Sequence, residues 1–304
     1  MWILLAIVSA VCLGCYDVSK KQALTSNNTM IVLWLSVGCS SLLLLPILLL
    51  SYVIPDIMQP TSFYVPDINL QEHLLVLLKS AIVLASWFFA YLAMKNLPIT
   101  LVSPINATRP MWTLLGAVLI FHETLNHWQW AGIIIAIVSF FAFSMVGKKE
   151  GIQFRHNIYI YALLLGTFLG AVSGLYDKYL MQRLNHNAVQ VYYTLYQFLL
   201  WTIVVAIVAF GKRKQKEDNF RLNIRHPWWI VGISVFLVLS DFVYLLALSY
   251  SDSLISVIST VRRSGVIIPF LYGALRLHDE NPKEKAVCLL GVLIGMIFLL
   301  IGTL

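Results

Sequence analysis

Residues 229–248 read Trp229-Ile230-Val231-Gly232-Ile233-Ser234-Val235-Phe236-Leu237-Val238-Leu239-Ser240-Asp241-Phe242-Val243-Tyr244-Leu245-Leu246-Ala247-Leu248, with Asp241 the single ionisable acid or base in the run. A helix of about 20 apolar residues crosses the hydrocarbon core of a bilayer, so the run reads as a membrane span. Apolar stretches of this kind lie at about 1–19, 30–54, 74–94, 98–121, 128–147, 158–182, 188–210, 227–250, 253–275 and 286–304, spans 1 to 10 in chain order. Segment 55–73 is interrupted by Pro55, Pro60 and Pro66 and by Asp56, Asp67 and Glu72 and reads as a loop. The 304 residues are 60% hydrophobic and 12% charged, with mean hydropathy +0.82; soluble domains carry about 25% charged residues. The composition excludes a soluble enzyme and predicts an all-α membrane protein of ten transmembrane helices.

Net charge is +7 and the pI about 9.2. Most of the surplus sits between apolar runs, where it orients the chain rather than binding nucleic acid. Fifteen Lys and Arg fall in the odd-numbered loops, Lys20 and Lys21 among them, against Lys79, Lys178 and Arg183 on the other side. Odd loops are thus expected in the cytoplasm and both termini outside, by default in a bacterial inner membrane with lipid as the surrounding partner. Met1-Trp2-Ile3-Leu4-Leu5 lacks the basic start of a signal peptide, so the first span is expected to be retained. Cys12, Cys15, Cys39 and Cys288 lie inside apolar runs, and the C-x-x-C pair is then an i, i+3 pair on a helix. No disulfide framework, metal site or cofactor is implied.

The chain also repeats. Gly14-Cys15-Tyr16-Asp17 returns as Gly174-Leu175-Tyr176-Asp177, and Ser86-Trp87-Phe88-Phe89-Ala90-Tyr91-Leu92-Ala93 as Ser240-Asp241-Phe242-Val243-Tyr244-Leu245-Leu246-Ala247. In the second register Arg109 falls on Arg263. Two five-span halves, 1–150 and 151–304, follow, and an odd number of spans inverts the second copy. Inverted repeats with a site near the bilayer midplane typify secondary transporters.

With an acid-bearing turn, Phe121-His122-Glu123-Thr124-Leu125 followed by Gly132, before the last span of the first half, the chain resembles the drug/metabolite transporter superfamily, and within it the EamA-type branch. The resemblance implies a central cavity lined mainly by spans 3, 4, 8 and 9. Ser259-Thr260-Val261-Arg262-Arg263-Ser264 is similar to the Lys/Arg-bearing ninth helix of the phosphate-sugar and nucleotide-sugar members. The superfamily's eukaryotic branches keep both termini in the cytoplasm, opposite to the charge count here.

Arg109, Asp241, Arg262 and Arg263 lie deep inside spans 4, 8 and 9. A central charge costs about 2.5–3.5 kcal/mol against lipid on an insertion scale, so these groups are expected to face water or a partner. Asn106, Arg109, Thr113 and Gly116 recur on one face of span 4, and Ser256, Ser259 and Arg263 on one face of span 9. Ser234, Asp241 and Tyr244 form a stripe on span 8, matched by Trp87 and Tyr91 on span 3. A guanidinium forks onto phosphate or carboxylate, and Trp87, Tyr91, Trp112 and Tyr244 are candidates to cover an organic moiety. Asp241 is either a structural counter-ion or a proton-coupling carboxylate. Arg262 either binds substrate or serves orientation on a neighbouring helix or a lipid headgroup.

Smaller expectations complete the reading. Asp17 is expected to pair with Lys20 or Lys21, Asp177 to mark a helix end beside Lys178, and Lys79 to snorkel outward. Glu123 and Glu280 are expected to cap or anchor span ends, Lys212-Arg213-Lys214-Gln215-Lys216 to meet anionic lipid, and Pro104 and Pro269 to break or kink spans 4 and 9 near the site. The predicted function is secondary active transport of a small anionic or zwitterionic metabolite by alternating access, as a proton-coupled carrier or an exchanger. The alternatives are an exporter of amino acids, aromatic compounds or drugs, and a flippase for a lipid-linked phosphate; an enzyme is not expected.

Overall fold

Asparagine fixes where several helices begin. In a computed structural model the side chains of Asn28, Asn69, Asn126 and Asn157 each accept from a backbone N–H of the first turn, and Glu72 and Gln129 close capping boxes with Asn69 and Asn126. The structure describes residues 2–121, 125–214, 224–250 and 255–302, the side chains of 116–121, 211–214 and 255–256 excepted. The helices are α1 (Trp2–Ser26), α2 (Thr29–Val53), α3 (Pro55–Met58), α4 (Leu70–Asn96), α5 (Ile99–Ala107), α6 (Arg109–Phe121), α7 (His127–Lys149), α8 (Ile158–Met181), α9 (His186–Lys214), α10 (Trp228–Ser249), α11 (Ile255–Arg263), α12 (Ile267–Leu275) and α13 (Pro282–Ile301). Expectations resting on His122, Glu123, on the side chains of Gly116 and Ser256, and on those of the run 212–216 lie outside the described residues.

Eight helices are long and apolar enough to cross a membrane: α1, α2, α4, α7, α8, α9, α10 and α13. The two remaining expected spans, 4 and 9, are each broken near the middle, as α5–α6 and as α11–α12 joined by a 3-10 turn at Ser264–Val266. The first break falls at Thr108. Pro110 has no N–H to give to the Asn106 carbonyl, and the Thr108 N–H bonds Ile105 O at 3.1 Å instead. Pro269 likewise frees the carbonyl of Gly265, which lies within the second break. Pro104 sits inside α5 without ending it, which corrects the expectation that it breaks its span.

The helices pack in pairs that join the part before residue 150 to the part after it: α1 with α10, α4 with α8, α2 with α9, α7 with α13 and α5 with α12. Small residues permit the approach. A Cβ on Gly265 would stand 2.1 Å from Ala10 O, and one on Gly132 2.7 Å from Gly295 O, so in both places backbone meets backbone. Hydroxyls bond across these contacts: Ser9 Oγ donates to Ser240 O at 2.8 Å, Ser240 Oγ to Ser9 O at 3.0 Å, and Ser86 Oγ to Gly166 O at 2.7 Å.

Two basic residues assigned to span ends are found inside. Lys20 and Lys79 are both 3% exposed. Lys79 therefore does not snorkel outward; it is ion-paired with Asp177 of α8. At the end of the bundle formed by the odd-numbered loops, Lys21 Nζ donates to the Met94 and Leu97 carbonyls at 2.9 and 2.7 Å, Lys95 Nζ to Asn27 O at 3.0 Å, and Lys285 pairs with Glu150 at 2.8 Å.

Gly265→Ala is expected to destabilise the detergent-purified protein, because the methyl group meets Ala10 backbone rather than a movable side chain; overpacking of this kind costs about 1–3 kcal/mol. Gly174, whose added Cβ would meet nothing within 4 Å, serves as the control. Gly174→Ala should hold or raise the thermal midpoint, in line with the greater helix propensity of alanine.

A candidate anion site in the central cavity

Where α1, α4, α8 and α10 converge on the broken helices, they enclose a cavity of about 110 Å³. Its wall holds five cations, Lys20, Lys79, Arg109, Arg262 and Arg263, and three acids, Asp17, Asp177 and Asp241. Each acid is already engaged with one cation. Asp17 meets Lys20 at 2.5 Å one turn along α1, Asp177 of α8 pairs with Lys79 of α4, and Asp241 of α10 pairs with Arg262 of α11. Aromatic faces and hydroxyls steady these pairs: the Lys20 ammonium lies 4.4 Å from the Tyr16 ring centre, Lys79 lies 4.6 Å from that of Tyr193, and the Arg262 guanidinium lies 4.2 Å from that of Tyr244. The Tyr193 hydroxyl donates to Asp241, and Arg262 also donates to Ser240 Oγ at 3.1 Å.

Arg109 and Arg263 are left over. Among the described residues neither has a carboxylate within ion-pair distance or a side-chain hydrogen bond, and Arg109 Nε is buried without a partner. Arg109 is the first residue of α6, immediately after one break, and Arg263 is the last of α11, immediately before the other. The Arg109 guanidinium lies against Gly170 of α8, where a Cβ would come within 2.4 Å of its central carbon. The absence of a side chain at 170 is therefore what makes room for it.

Of the residues singled out from sequence, Arg109, Arg262, Arg263, Asn106, Ser259, Trp87, Tyr244 and Asp241 line this cavity, as does Thr113. Asn106 Oδ1 accepts from Thr167 Oγ1 at 2.9 Å. Tyr91 and Trp112 do not line it. Tyr91 is 0% exposed, one turn farther along α4, where its ring centre lies 5.5 Å from the Lys20 ammonium. Trp112 packs edge-on against Phe168, with ring centres 6.1 Å apart. Lys20, Lys79, Tyr193 and Gly170 are wall residues that sequence reasoning missed. The recurrence of Tyr-Asp at 16–17 and 176–177 was the available signal for two of the acids, and nothing in the sequence marked Gly170.

Long apolar helices around a charged interior, with two helices discontinuous beside it, are features found among secondary transporters. Residues 1–145 match the model of the EamA-like transporter family. The match covers a little under half of the 304 residues, and the chain is an integral membrane protein with eight candidate spans among the described residues. Comparison with curated proteins finds no match. A solved crystal structure is similar to this chain with a TM-score of 0.68 at 9% identity, covering 99% of this chain and 97% of its own, a likeness of fold.

Removing one partner of a buried pair leaves a bare charge, at a cost of about 3–5 kcal/mol, whereas replacing both with apolar side chains is close to neutral. Lys79→Met and Asp177→Leu are each expected to lower the thermal midpoint sharply, and the double variant to recover most of the loss. Additive losses in the double variant would show that the pair is not the source of the effect.

Proposed function

We propose that this protein carries a small organic anion across the membrane, with Arg109 and Arg263 holding the charged group. The observation behind this reading is the surplus of two guanidinium groups over the carboxylates of the cavity. A guanidinium keeps its charge at physiological pH and binds a phosphate or carboxylate through paired N–H donors. Two of them suit a phosphate ester, a dicarboxylate or the carboxylate end of a zwitterion. They oppose a cationic cargo. Trp87 and Tyr244 supply apolar faces for the organic part. Arg262 is committed to Asp241 and Ser240 and shapes the wall, and Asp241 is its counter-ion rather than a proton carrier.

Alternating access is the mechanism this architecture supports. In our reading, residues 1–150 and 151–304 are two halves that rock against each other about the cavity. The pairing of helices is unchanged if α1 is exchanged with α8 and α4 with α10, as a two-fold relation between the halves requires. The helix breaks beside Arg109 and Arg263 provide the joints. Cations gathered at the end that holds Lys21, Lys95 and Lys285 favour that end as cytoplasmic, with both termini outside.

Uptake into proteoliposomes tests the proposal, with labelled phosphate esters, dicarboxylates and amino acids as probes. Arg109→Gln and Arg263→Gln should each reduce anion flux at least ten-fold while the protein stays folded; wild-type flux in both would end the reading. Gly170→Val should act like Arg109→Gln, because its side chain takes the space of the Arg109 guanidinium.

A further inference from the structure

A second compartment adjoins the charged cavity and shares Trp87, Tyr193 and Leu237 with it. It offers about 10 Å³, room for one group the size of a water molecule. Gln197 of α9 forms part of its wall and is 0% exposed. Neither Nε2 nor Oε1 of Gln197 has a hydrogen-bond partner. The hydroxyl and amide donors of Ser40, Thr194, Gln190 and Tyr193 around the compartment are engaged elsewhere. Ser40 Oγ donates to Ser36 O at 2.9 Å, Thr194 Oγ1 to Gln190 O at 2.8 Å, and Gln190 Nε2 to Val238 O at 2.9 Å; the Tyr193 hydroxyl is given to Asp241.

A buried amide with both ends unmade is costly, and a group that binds both ends removes that cost. The chemistry of that ligand is restricted. A metal cation would satisfy the oxygen alone and an anion the nitrogen alone, whereas one hydroxyl both donates to Oε1 and accepts from Nε2. The compartment admits one such group and lies beside the cavity of Arg109 and Arg263, with Trp87, Tyr193 and Leu237 as the shared wall. Building on the anion-carrier reading, we propose that Gln197 receives a hydroxyl of the cargo, so that the transported species is a hydroxylated organic anion. Gln197 is then a specificity residue: it discriminates among anions that the two arginines alone accept equally. A site built to hydrogen-bond a hydroxyl rejects the analogue that lacks it, because the amide is again left unpaired.

Calorimetric titration of the purified full-length protein tests this with two matched pairs, glycerol 3-phosphate against n-propyl phosphate and glycerate against propionate, and with inorganic phosphate as the bare headgroup. In wild type the hydroxylated member of at least one pair should bind ten-fold tighter or more. Gln197→Met should bring that ratio to within two-fold of unity while leaving the affinity for the bare-chain anion of the same pair within two-fold of wild type. Its thermal midpoint should not fall, since methionine fills the space with nothing to satisfy; Gln197→Leu is the second variant if methionine packs badly. A ratio near one for both pairs in wild type, as a permanently held water would produce, overturns the proposal, and so does a preference that survives both substitutions. Failure of the carrier reading looks different: no anion binds wild type, or Arg109→Gln and Arg263→Gln bind every probe unchanged, and either result removes both ideas together.

Discussion

The imbalance of charge in a water-poor interior governs this molecule. Five cations and three carboxylates face one cavity, and an ion there is stable only when paired or hydrated. Three pairs form; Lys20–Asp17 neutralises charge within α1, and the other two tie different helices together as well. Lys79–Asp177 ties α4 to α8 and Arg262–Asp241 ties α10 to α11. The same helices meet through hydroxyl-to-carbonyl bonds and glycine contacts, which are short-range and need close approach. Electrostatics at the centre and small residues at the seams thus require the same packing.

The two discontinuous helices are the point where fold and chemistry join. An unbroken helix would carry Arg109 or Arg263 at mid-depth with every backbone group satisfied internally. Breaking it beside the arginine opens backbone groups and space at that depth, which is tolerated only where the chain lines a cavity. Proline explains both breaks by the same means, the loss of one N–H donor, although Pro110 lies just after its break and Pro269 three residues beyond the other. Gly265 then lets the second break touch α1 directly.

Much of the fold was legible in the sequence because hydrophobic runs of membrane length are a strong signal. The runs at 74–94, 128–147 and 227–250 match α4, α7 and α10 closely. Apolarity continues through the breaks in spans 4 and 9, so only the prolines signal them; the break in span 4 falls at Thr108, four residues after Pro104 and two before Pro110. Central arginines were equally legible, since their cost in lipid makes each one conspicuous. Lys20 and Lys79 were not. The Asp17–Lys20 pairing was legible from its spacing, but the burial of both lysines was not, and only α8 reveals that Asp177 faces Lys79. Tyr91 and Trp112 show the opposite limit, because periodicity gives a face but not which neighbour covers it. Gly170 and Gln197 gain meaning only from what lies across from them.

The division of labour among the charges has an evolutionary corollary. The three tied cations belong to the scaffold, while Arg109 and Arg263 are bound to no scaffold carboxylate among the described residues. Exchanging those two for neutral side chains would leave a cavity whose remaining ions cancel. If those two arginines hold the cargo as proposed, two codons separate this vessel from one suited to uncharged cargo, and diversification of what is carried need not disturb how the scaffold is built.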